Sequence, residues 1–299
     1  MTDIATSRIP ESWHPSGKTA VYGILGEPVI HSLSPWMHRL FAAELDLDMV
    51  YVPFSVPKMA LAQAFAGFSA LGVKGVNVTV PHKEAVLSLM HSLSPAAQAI
   101  GAVNTVSFTD AGAVGDNTDA TGFARALERA TDARWWTAPT LVIGAGGAAR
   151  AIVYALGSAG CPAIYVANRN IDRARDLVVS FPEFPLQTLP LTSEALTEVL
   201  PEISLLINTS ARGLHGENHP ELNLERMPRH GKVYDIVYNP LETPLLRAAR
   251  ESGLGAIDGL GMLVEQGAES FRLWTGVLPQ TNTVEGILRQ WLQTRNKSL

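Results

Sequence analysis

Four short polar clusters hold the residues of this chain best able to do chemistry. They are His31-Ser32-Leu33-Ser34-Pro35, Asn77-Val78-Thr79-Val80-Pro81-His82-Lys83, Gly101-Ala102-Val103-Asn104-Thr105 and Gly115-Asp116-Asn117-Thr118-Asp119. Collected, they offer hydroxyls, amides, one ammonium and carboxylates, the donor and acceptor set for a polyhydroxylated acid. Taken singly, each has a plainer explanation. Ser34 before Pro35 reads as a helix N-cap, Asn104 as a turn residue, and Asp116 or Thr118 as a cap for the following helix. Lys83 is in a less ordinary place, because the helix dipole disfavours a cation near a helix start. An extended Ser32–Ser34 segment, which Pro35 favours, would point both hydroxyls the same way and let them reach one carboxylate. The eight histidines show no tight pair at metal-ligand spacing, so no metal is expected.

A fifth cluster is of another kind. Leu141-Val142-Ile143 reads as a strand, Gly144-Ala145-Gly146-Gly147-Ala148-Ala149 as G-x-G-x-x-A, and the residues after Ala149 as a helix. Gly144 permits a tight turn, Gly146 lets the backbone approach a pyrophosphate, and the small Ala149 allows close helix–strand packing. The helix N-terminus then turns free N–H groups and a partial positive charge toward the phosphates. A glycine triplet alone is weak evidence, and an ordinary strand-to-helix turn is the alternative. The flanking strand and helix are the context that the motif requires. The next strand ends at Asn168-Arg169, where an NAD enzyme usually places Asp or Glu for the ribose 2′-hydroxyl. Here Arg169, with Arg173 one turn later, suits a 2′-phosphate, so NADP is the expected cofactor. Without the glycine turn, the two arginines would read as a solvated helix face.

The elements that must position these residues alternate. Strands are expected over Thr19–Leu25, Met49–Phe54 and Gly75–Val80, with helices over Pro35–Asp46 and Pro57–Leu71. A hairpin is expected from Val103–Phe108 and Ala113–Asp116. A second unit begins near Ala120: helix Thr118–Ala130, a break at Arg134–Pro139, strand Thr140–Ile143, helix Ala148–Ser158, strand Ala163–Ala167, helix Ile171–Ser180, and strands Leu205–Asn208 and Val233–Ile236. Helices Met262–Trp274 and Thr283–Thr294 close the chain. This pattern predicts an α/β protein with mostly parallel sheets and helices on both faces. The expected division is a loose arm at 1–18, a substrate-binding catalytic domain at 19–119, a Rossmann-like nucleotide domain at 120–258, and C-terminal helices at 259–299 returning to the first domain. All four polar clusters then fall at strand ends or helix starts, where open α/β sheets bind ligands.

With 299 residues, two domains of ordinary size are possible. Net charge is −5 and there is no Lys/Arg run, which argues against a nucleic-acid partner and for a small polar metabolite. A single cysteine, Cys161, cannot form an internal disulfide and reads as a buried filler, which fits a reducing cytoplasm. Met1–Lys18 has no apolar run of the signal-peptide kind. The uncharged stretch Ala151–Ala167 contains Gly157, Gly160 and Pro162 and is too short to span a membrane, so no membrane partner is expected. A homodimer is the candidate assembly.

Taken in order, these segments resemble the shikimate dehydrogenase family over nearly the whole chain. The resemblance rests on Gly26-Glu-Pro28…His31-Ser-Leu-Ser-Pro35, Gly75-Val-Asn-Val-Thr-Val-Pro-His-Lys83, Gly101-Ala-Val-Asn-Thr105 and Gly115-Asp-Asn-Thr-Asp119. It continues through Gly144-Ala-Gly-Gly-Ala148, Asn168-Arg169, Val237-Tyr-Asn-Pro240…Thr243-Pro-Leu-Leu246 and Gly259-Leu-Gly-Met-Leu-Val-Glu-Gln266. It implies two α/β domains with the active site in the cleft between them, and NADP-dependent reduction of 3-dehydroshikimate to shikimate on the way to chorismate and the aromatic amino acids. It implies that Ser32 and Ser34 bind the substrate carboxylate. Asn77, Thr79, Asn104, Asp119 and Gln266 would contact ring hydroxyls or the reacting oxygen, with Tyr238 nearby. Lys83 would be the catalytic lysine, paired with Asp119, which itself counts as catalytic. Gly144, Ala145, Gly146, Gly147, Ala148, Asn168, Arg169 and Arg173 would hold NADP, joined by Ile236, with Gly259 and Met262 by the nicotinamide. The chain departs from the family pattern at Asn170, often Thr, at Ala120, often Gly, and in the loop Asn208–Leu214, where Arg212 has no family role. An NAD-dependent quinate/shikimate dehydrogenase and a non-catalytic NADP-binding sensor are the alternatives. Ser32, Ser34 and Arg169 argue against the first, and retention of Lys83 and Asp119 against the second.

Overall fold

The computed structural model describes residues 15–131 and 136–295. Residues 1–14 of the arm expected at 1–18, and the first part of the expected break at Arg134–Pro139, lie outside them. The first unit runs β1 (Ala20–Gly26), α1 (Ser34–Glu44), β2 (Met49–Ser55), α2 (Leu61–Ala70), β3 (Gly75–Val78), β4 (Ser92–Leu93), α3 (Pro95–Ile100), β5 (Thr105–Thr109) and β6 (Gly112–Asp116). Its six strands lie in the order β2-β1-β3-β5-β6-β4. Strand β1 pairs parallel with β2 and β3, which requires the crossover helices α1 and α2. Strands β5 and β6 form the expected antiparallel hairpin, and β5 pairs antiparallel with β3.

Helix α4 (Asp119–Ala130) leads into the second unit. That unit comprises β7 (Thr140–Ile143), α5 (Gly147–Ser158), β8 (Ile164–Asn168), α6 (Ile171–Val179), β9 (Leu186–Pro190), α7 (Ser193–Val199), β10 (Leu205–Asn208), β11 (Lys232–Asp235), α8 (Pro244–Glu251) and β12 (Gly255–Ile257). All six strands are parallel, in the order β12-β11-β10-β7-β8-β9. Four of these elements, β9, α7, α8 and β12, are absent from the expected set. They are short, and β9 and β12 lie at the sheet edges, where half-exposed residues blur the apolar period. Strands β7 and β10 are wholly buried and read as apolar runs, as parallel strands covered on both faces should.

Two apolar layers sandwich this sheet. Ile152, Val153 and Leu156 of α5 pack with Phe123 and Leu127 of α4 on one face, and Leu245, Leu246 and Ala249 of α8 with Leu196 of α7 on the other. The last two helices, α9 (Leu260–Thr275) and α10 (Thr281–Arg295), pack against α1 through Met37, Phe41, Leu260, Val264, Phe271 and Leu288. Helix α9 also crosses α4 so closely that a Cβ on Gly122 would lie 2.6 Å from the backbone nitrogen of Gln266. No helix among the described residues is long and apolar enough to cross a membrane. Cys161 is buried against the second sheet, with its thiol beside the Thr140 hydroxyl.

Asp235, at the end of β11, is fully buried. It accepts from the Thr243 hydroxyl at 2.7 Å, the Asn208 amide at 2.9 Å and the Val237 N–H at 3.1 Å. Burial nevertheless pushes its carboxyl up from 3.8 to about 6. A raised folded-state pKa means that the folded chain holds this proton where the unfolded chain has lost it. The contribution of Asp235 to stability is therefore greatest below about 4 and declines as pH rises to about 6. Asp235→Asn should flatten that decline, by on the order of 3 kcal/mol across the window. Urea denaturation of both proteins from pH 4 to 7 checks this. Parallel profiles would show that burial does not act on this group.

Candidate active site

The second sheet reverses its direction of growth at β7. Chain order runs outward through β8 and β9 on one side and through β10, β11 and β12 on the other. That switch point opens a crevice at the carboxyl ends of β7 and β10. The glycine-rich turn sits there. Gly144 has φ +115, a conformation that L side chains rarely adopt, and a Cβ on it would collide with the Thr209 hydroxyl. A Cβ on Gly146 would meet nothing within 4 Å, so the backbone there faces open space. Helix α5 starts at Gly147 with no side-chain cap, which leaves its first N–H groups pointing into that space.

The open end of this turn faces the first unit. A Cβ on Gly147 would lie 3.0 Å from Lys83 Cβ, so the glycine turn and the lysine stem are direct neighbours. Lys83 lies just beyond β3 and donates to Asp119 Oδ2 at 2.5 Å, with 15% and 5% of the two side chains exposed. Asp119 opens α4, where a carboxylate also suits the helix dipole. Asn104, before β5, donates to Asp119 Oδ1 at 2.7 Å, to the Thr118 hydroxyl at 2.9 Å and to Gln266 Oε1 at 3.3 Å. It accepts from the Thr118 N–H at 2.8 Å. Asn104 is therefore a buried junction and not merely a turn residue. Asp116 accepts from Ser94 and from the Asn117 N–H, and Thr118 makes no side-chain cap to α4.

Asn77 of β3 extends the network. It donates to the Ser270 hydroxyl at 2.9 Å, the Asn104 carbonyl at 3.1 Å and the Thr105 hydroxyl at 3.2 Å. Thr105, Thr118 and Ser270 thus support the site without being among its expected residues. Ser270 lies one helical turn beyond Gln266 on α9, and that spacing is the signal that could have found it. Thr79 is partly buried, with its methyl toward Gly26.

The serine segment differs from its expected form. Helix α1 begins at Ser34 itself, Leu33 before it has helical angles (φ −85, ψ −7), and Ser34 N–H donates to Ser32 Oγ at 3.2 Å. The segment is a turn, because Pro35 in the first turn initiates a helix here and does not enforce an extended Ser34. Ser34 is not the N-cap, so the plainer explanation for it also fails. The two serines still flank one spot. Ser32 lies against the Tyr238 phenol, and Ser34 against that of Tyr51. Burial pushes both phenols up, and both stay protonated donors.

On the nucleotide side, Asn168 donates to the Asn170 carbonyl at 2.8 Å. Asn170 caps α6, accepting from the N–H groups of Asp172 and Arg173, so a family Thr is replaced by another good cap. Arg169 is exposed, and Arg173 lies 3.7 Å from Glu84 of the first unit. Gly259 passes so near Ile236 that a Cβ would strike its backbone. Met262 is buried in the core cluster that also holds Phe123 and Tyr234. Ala120 packs between the units with Ile100, Ala102 and Ala151. Arg212 is bound to Glu221 at 2.9 Å and holds its own loop together.

Comparison with known proteins points to one family. The family described as shikimate dehydrogenase substrate binding domain matches residues 24–106, shikimate/quinate 5-dehydrogenase residues 126–237, and the shikimate 5′-dehydrogenase C-terminal domain residues 259–289. The shikimate dehydrogenase (NADP(+)) of Geobacter sulfurreducens is 44% identical over 93% of this chain and 97% of its own. The crystal structure of shikimate dehydrogenase from Aquifex aeolicus is 38% identical, with a TM-score of 0.84 over 92% of this chain and 99% of that one. The Thermus thermophilus shikimate 5-dehydrogenase in complex with NADP(H) and shikimate is 40% identical, with a TM-score of 0.81 over 91% of this chain and 99% of that one.

The Lys83–Asp119 pair also bears on stability. Removing one partner of a buried pair leaves a charge without compensation. Asp119→Ala should cost about 3 kcal/mol, the low end for such pairs because Lys83 keeps some contact with water. The double variant Lys83→Met/Asp119→Leu should recover part of that loss. Guanidinium denaturation midpoints decide it, and a double variant no more stable than Asp119→Ala would refute the argument.

Proposed function

Because the chain belongs to the shikimate dehydrogenase family, we propose that it catalyses the reversible reduction of 3-dehydroshikimate to shikimate with NADPH, in the biosynthesis of chorismate and the aromatic amino acids. The observation that carries this reading is the contact between the two halves of the chemistry: the glycine turn lies directly on the stem of Lys83, whose ammonium is held by Asp119. A sensor would need the first half only.

The residues present fit NADP. Gly146 borders open space that a larger residue would fill, and the start of α5 offers N–H groups to a pyrophosphate. Arg169, with Arg173 behind it, offers guanidinium to a 2′-phosphate. Gly144 to Ala148, Asn168, Arg169 and Arg173 would hold the cofactor. When bound, NADPH supplies the hydride that reduces the substrate carbonyl carbon. The carbonyl oxygen gains negative charge as this happens, and Lys83 is the ammonium placed to stabilise it and deliver the proton. Asp119 orients Lys83 and accepts from a ring hydroxyl. Asn104 holds Asp119 and is itself bonded to Gln266, so both amides sit on one face of the ring, while Ser32, Ser34 and Tyr238 receive the carboxylate at the far end. These are neutral donors, so they bind an anion without drawing charge away from Lys83. A cytoplasmic setting and a homodimer belong to the same reading, and sedimentation velocity tests the dimer.

The rival reading, an NAD-dependent quinate/shikimate dehydrogenase, lacks support at Arg169, where a carboxylate would be needed for the ribose hydroxyl. Kinetics with shikimate and quinate, each with NADP and NAD, decide between them. Two substitutions sharpen the test. Lys83→Met should lower kcat by roughly 10²- to 10⁴-fold and leave the shikimate KM nearly unchanged, since Lys83 acts as charge develops. Near-normal kcat would remove Lys83 from the chemistry. Arg169→Ala should weaken NADPH by roughly 10- to 150-fold and NADH far less. Equal weakening of both would refute the 2′-phosphate role.

A further inference from the structure

We propose that Arg150 is a positioning residue that fixes the glycine turn of the second unit against the Gly101–Asn104 segment of the first, and so sets how hydride donor and acceptor meet. Arg150 belongs to α5 and is bonded in two directions. Its backbone N–H donates to the Gly146 carbonyl at 3.0 Å, which closes the first turn of the helix onto the glycine turn. Its side chain reaches into the first unit, where Nε donates to the Ile100 carbonyl at 2.6 Å. Ile100 is the last residue of α3, where helix carbonyls lack helical partners and the dipole end is negative. A guanidinium suits that place on both counts. The residues that follow lead straight into the site. The Ala102 carbonyl accepts from the Asn117 amide at 2.8 Å, the Val103 N–H donates to the Lys83 carbonyl at 2.8 Å, and the Asn104 N–H donates to the Asp116 carbonyl at 3.0 Å. One side chain thereby connects the backbone suited to a pyrophosphate with the backbone that carries Lys83 and Asn104.

Gly101 leaves the room that this contact needs. Its φ is +66, in the left-handed region, and a Cβ there would lie 2.6 Å from Arg150 Nη2. Any side chain at this position would therefore push the guanidinium off the Ile100 carbonyl. The apolar contact around it supplies little register of its own. Ile100, Ala102, Ala120 and Ala151 meet there, and three of the four are alanines. Apolar contact is non-directional, so such methyls tolerate a small slide between the units, whereas a hydrogen bond from a planar fork does not. The far side of the fork is anchored within the second unit. The guanidinium lies over the Phe181 ring, 5.4 Å from its centroid, and Nη1 donates to the Ser180 hydroxyl at 3.3 Å. Burial pulls the guanidinium pKa down, with the Glu84 carboxylate acting in the opposite direction, and the group stays charged.

The inference rests on the proposed reaction, and the test keeps the two apart. The full-length chain is compared as wild type, Arg150→Lys and Arg150→Met. The readouts are kcat, both KM values, melting temperature, and amide hydrogen exchange over residues 97–105 in the ligand-free protein. Arg150→Met keeps most of the stem and removes the guanidinium. Each half of the site keeps its own contacts, so both KM values should stay within about threefold while kcat falls roughly 10- to 100-fold, the range for a small misplacement of reacting groups. The Val103 and Asn104 amides should exchange faster in Arg150→Met, because the segment loses a tie. Arg150→Lys can still donate to the Ile100 carbonyl and should recover most of both losses. Near-normal kcat in Arg150→Met, or unchanged exchange over 97–105, would overturn the role of Arg150 and leave the reaction standing. A wild type inactive on shikimate with NADP would overturn the reaction and, with it, the part of Arg150 in it. A raised NADP KM with kcat kept would show an ordinary cofactor contact. Loss of kcat, both KM values and melting temperature together, as large in Arg150→Lys as in Arg150→Met, would show a packing residue. Either of these last two results also overturns the proposal.

Discussion

Lys83 and Asp119 meet at 2.5 Å with most of both side chains out of water, and the rest of the molecule is arranged so that this can happen. Taking two charges from water is costly, and their attraction repays it only when the remaining lone pairs and protons also find partners. Asn104 supplies one such partner to Asp119, and Asn117 Oδ1 accepts from the Asp119 N–H. Asn104 is in turn held by Thr118 and Gln266, and Asn77 is tied to Ser270. The network thereby joins the end of β3, the entry to β5, the start of α4 and the middle of α9. Those elements cannot shift singly without leaving a buried donor or acceptor unmatched.

The same elements carry the chain between its two halves. Helix α4 leads out of the first unit from Asp119, and α9 returns across it at Gly122. A second clasp lies farther along. Arg129 of α4 binds Glu265 of α9 and Glu285 of α10, and Arg289 of α10 binds Asp258 just before α9. The helices that hold the network are thus also the ones that set where the second sheet sits. Its switch point brings the open backbone at Gly146 and the start of α5 toward the Lys83 stem. Positioning of substrate and cofactor is consequently one problem and not two. Ala120, where the family often has Gly, fits because its methyl fills a small contact between the units, beside Ile100 and Ala151.

Much of this is legible in the sequence, for physical reasons. Buried parallel strands such as Thr140–Ile143 and Leu205–Asn208 stand out as short apolar runs between breakers, and G-x-G-x-x-A has few uses between a strand and a helix. Most of the residues brought together around Lys83 belong to the four polar clusters, the glycine turn or the Gly259–Gln266 segment, and Ser270 lies just beyond the last. The illegible part lies where local pattern and tertiary placement part company. Tyr51 looks like any strand aromatic until β2 sets its hydroxyl against Asn77. Pro35 disfavours a helical predecessor and so points to an extended Ser34, yet the helix starts there.

The two ends of the cleft are built on opposite terms. At the proposed substrate end, Asn77, Asn104 and Asp119 are buried and linked by hydrogen bonds through Asn104, and Ser34 is buried beside the Tyr51 phenol, so their orientation is set before any ligand arrives. Their cost was met in folding, and binding needs little further ordering. At the nucleotide end, Arg169 and Arg173 are exposed, and Arg173 and Glu84 remain half in water at 3.7 Å. A pair of that kind contributes about 0–1 kcal/mol and is screened by salt, so it neither locks the cleft nor greatly hinders a phosphate from taking Arg173. On the proposed reading, pre-ordered polar side chains would read the shape of the acid, while exposed surface charge would read the extra phosphate. The division is rooted in chemistry. Ring hydroxyls differ by position and need fixed partners, whereas a 2′-phosphate differs from a hydroxyl mainly by charge, which exposed guanidiniums can detect without being held still.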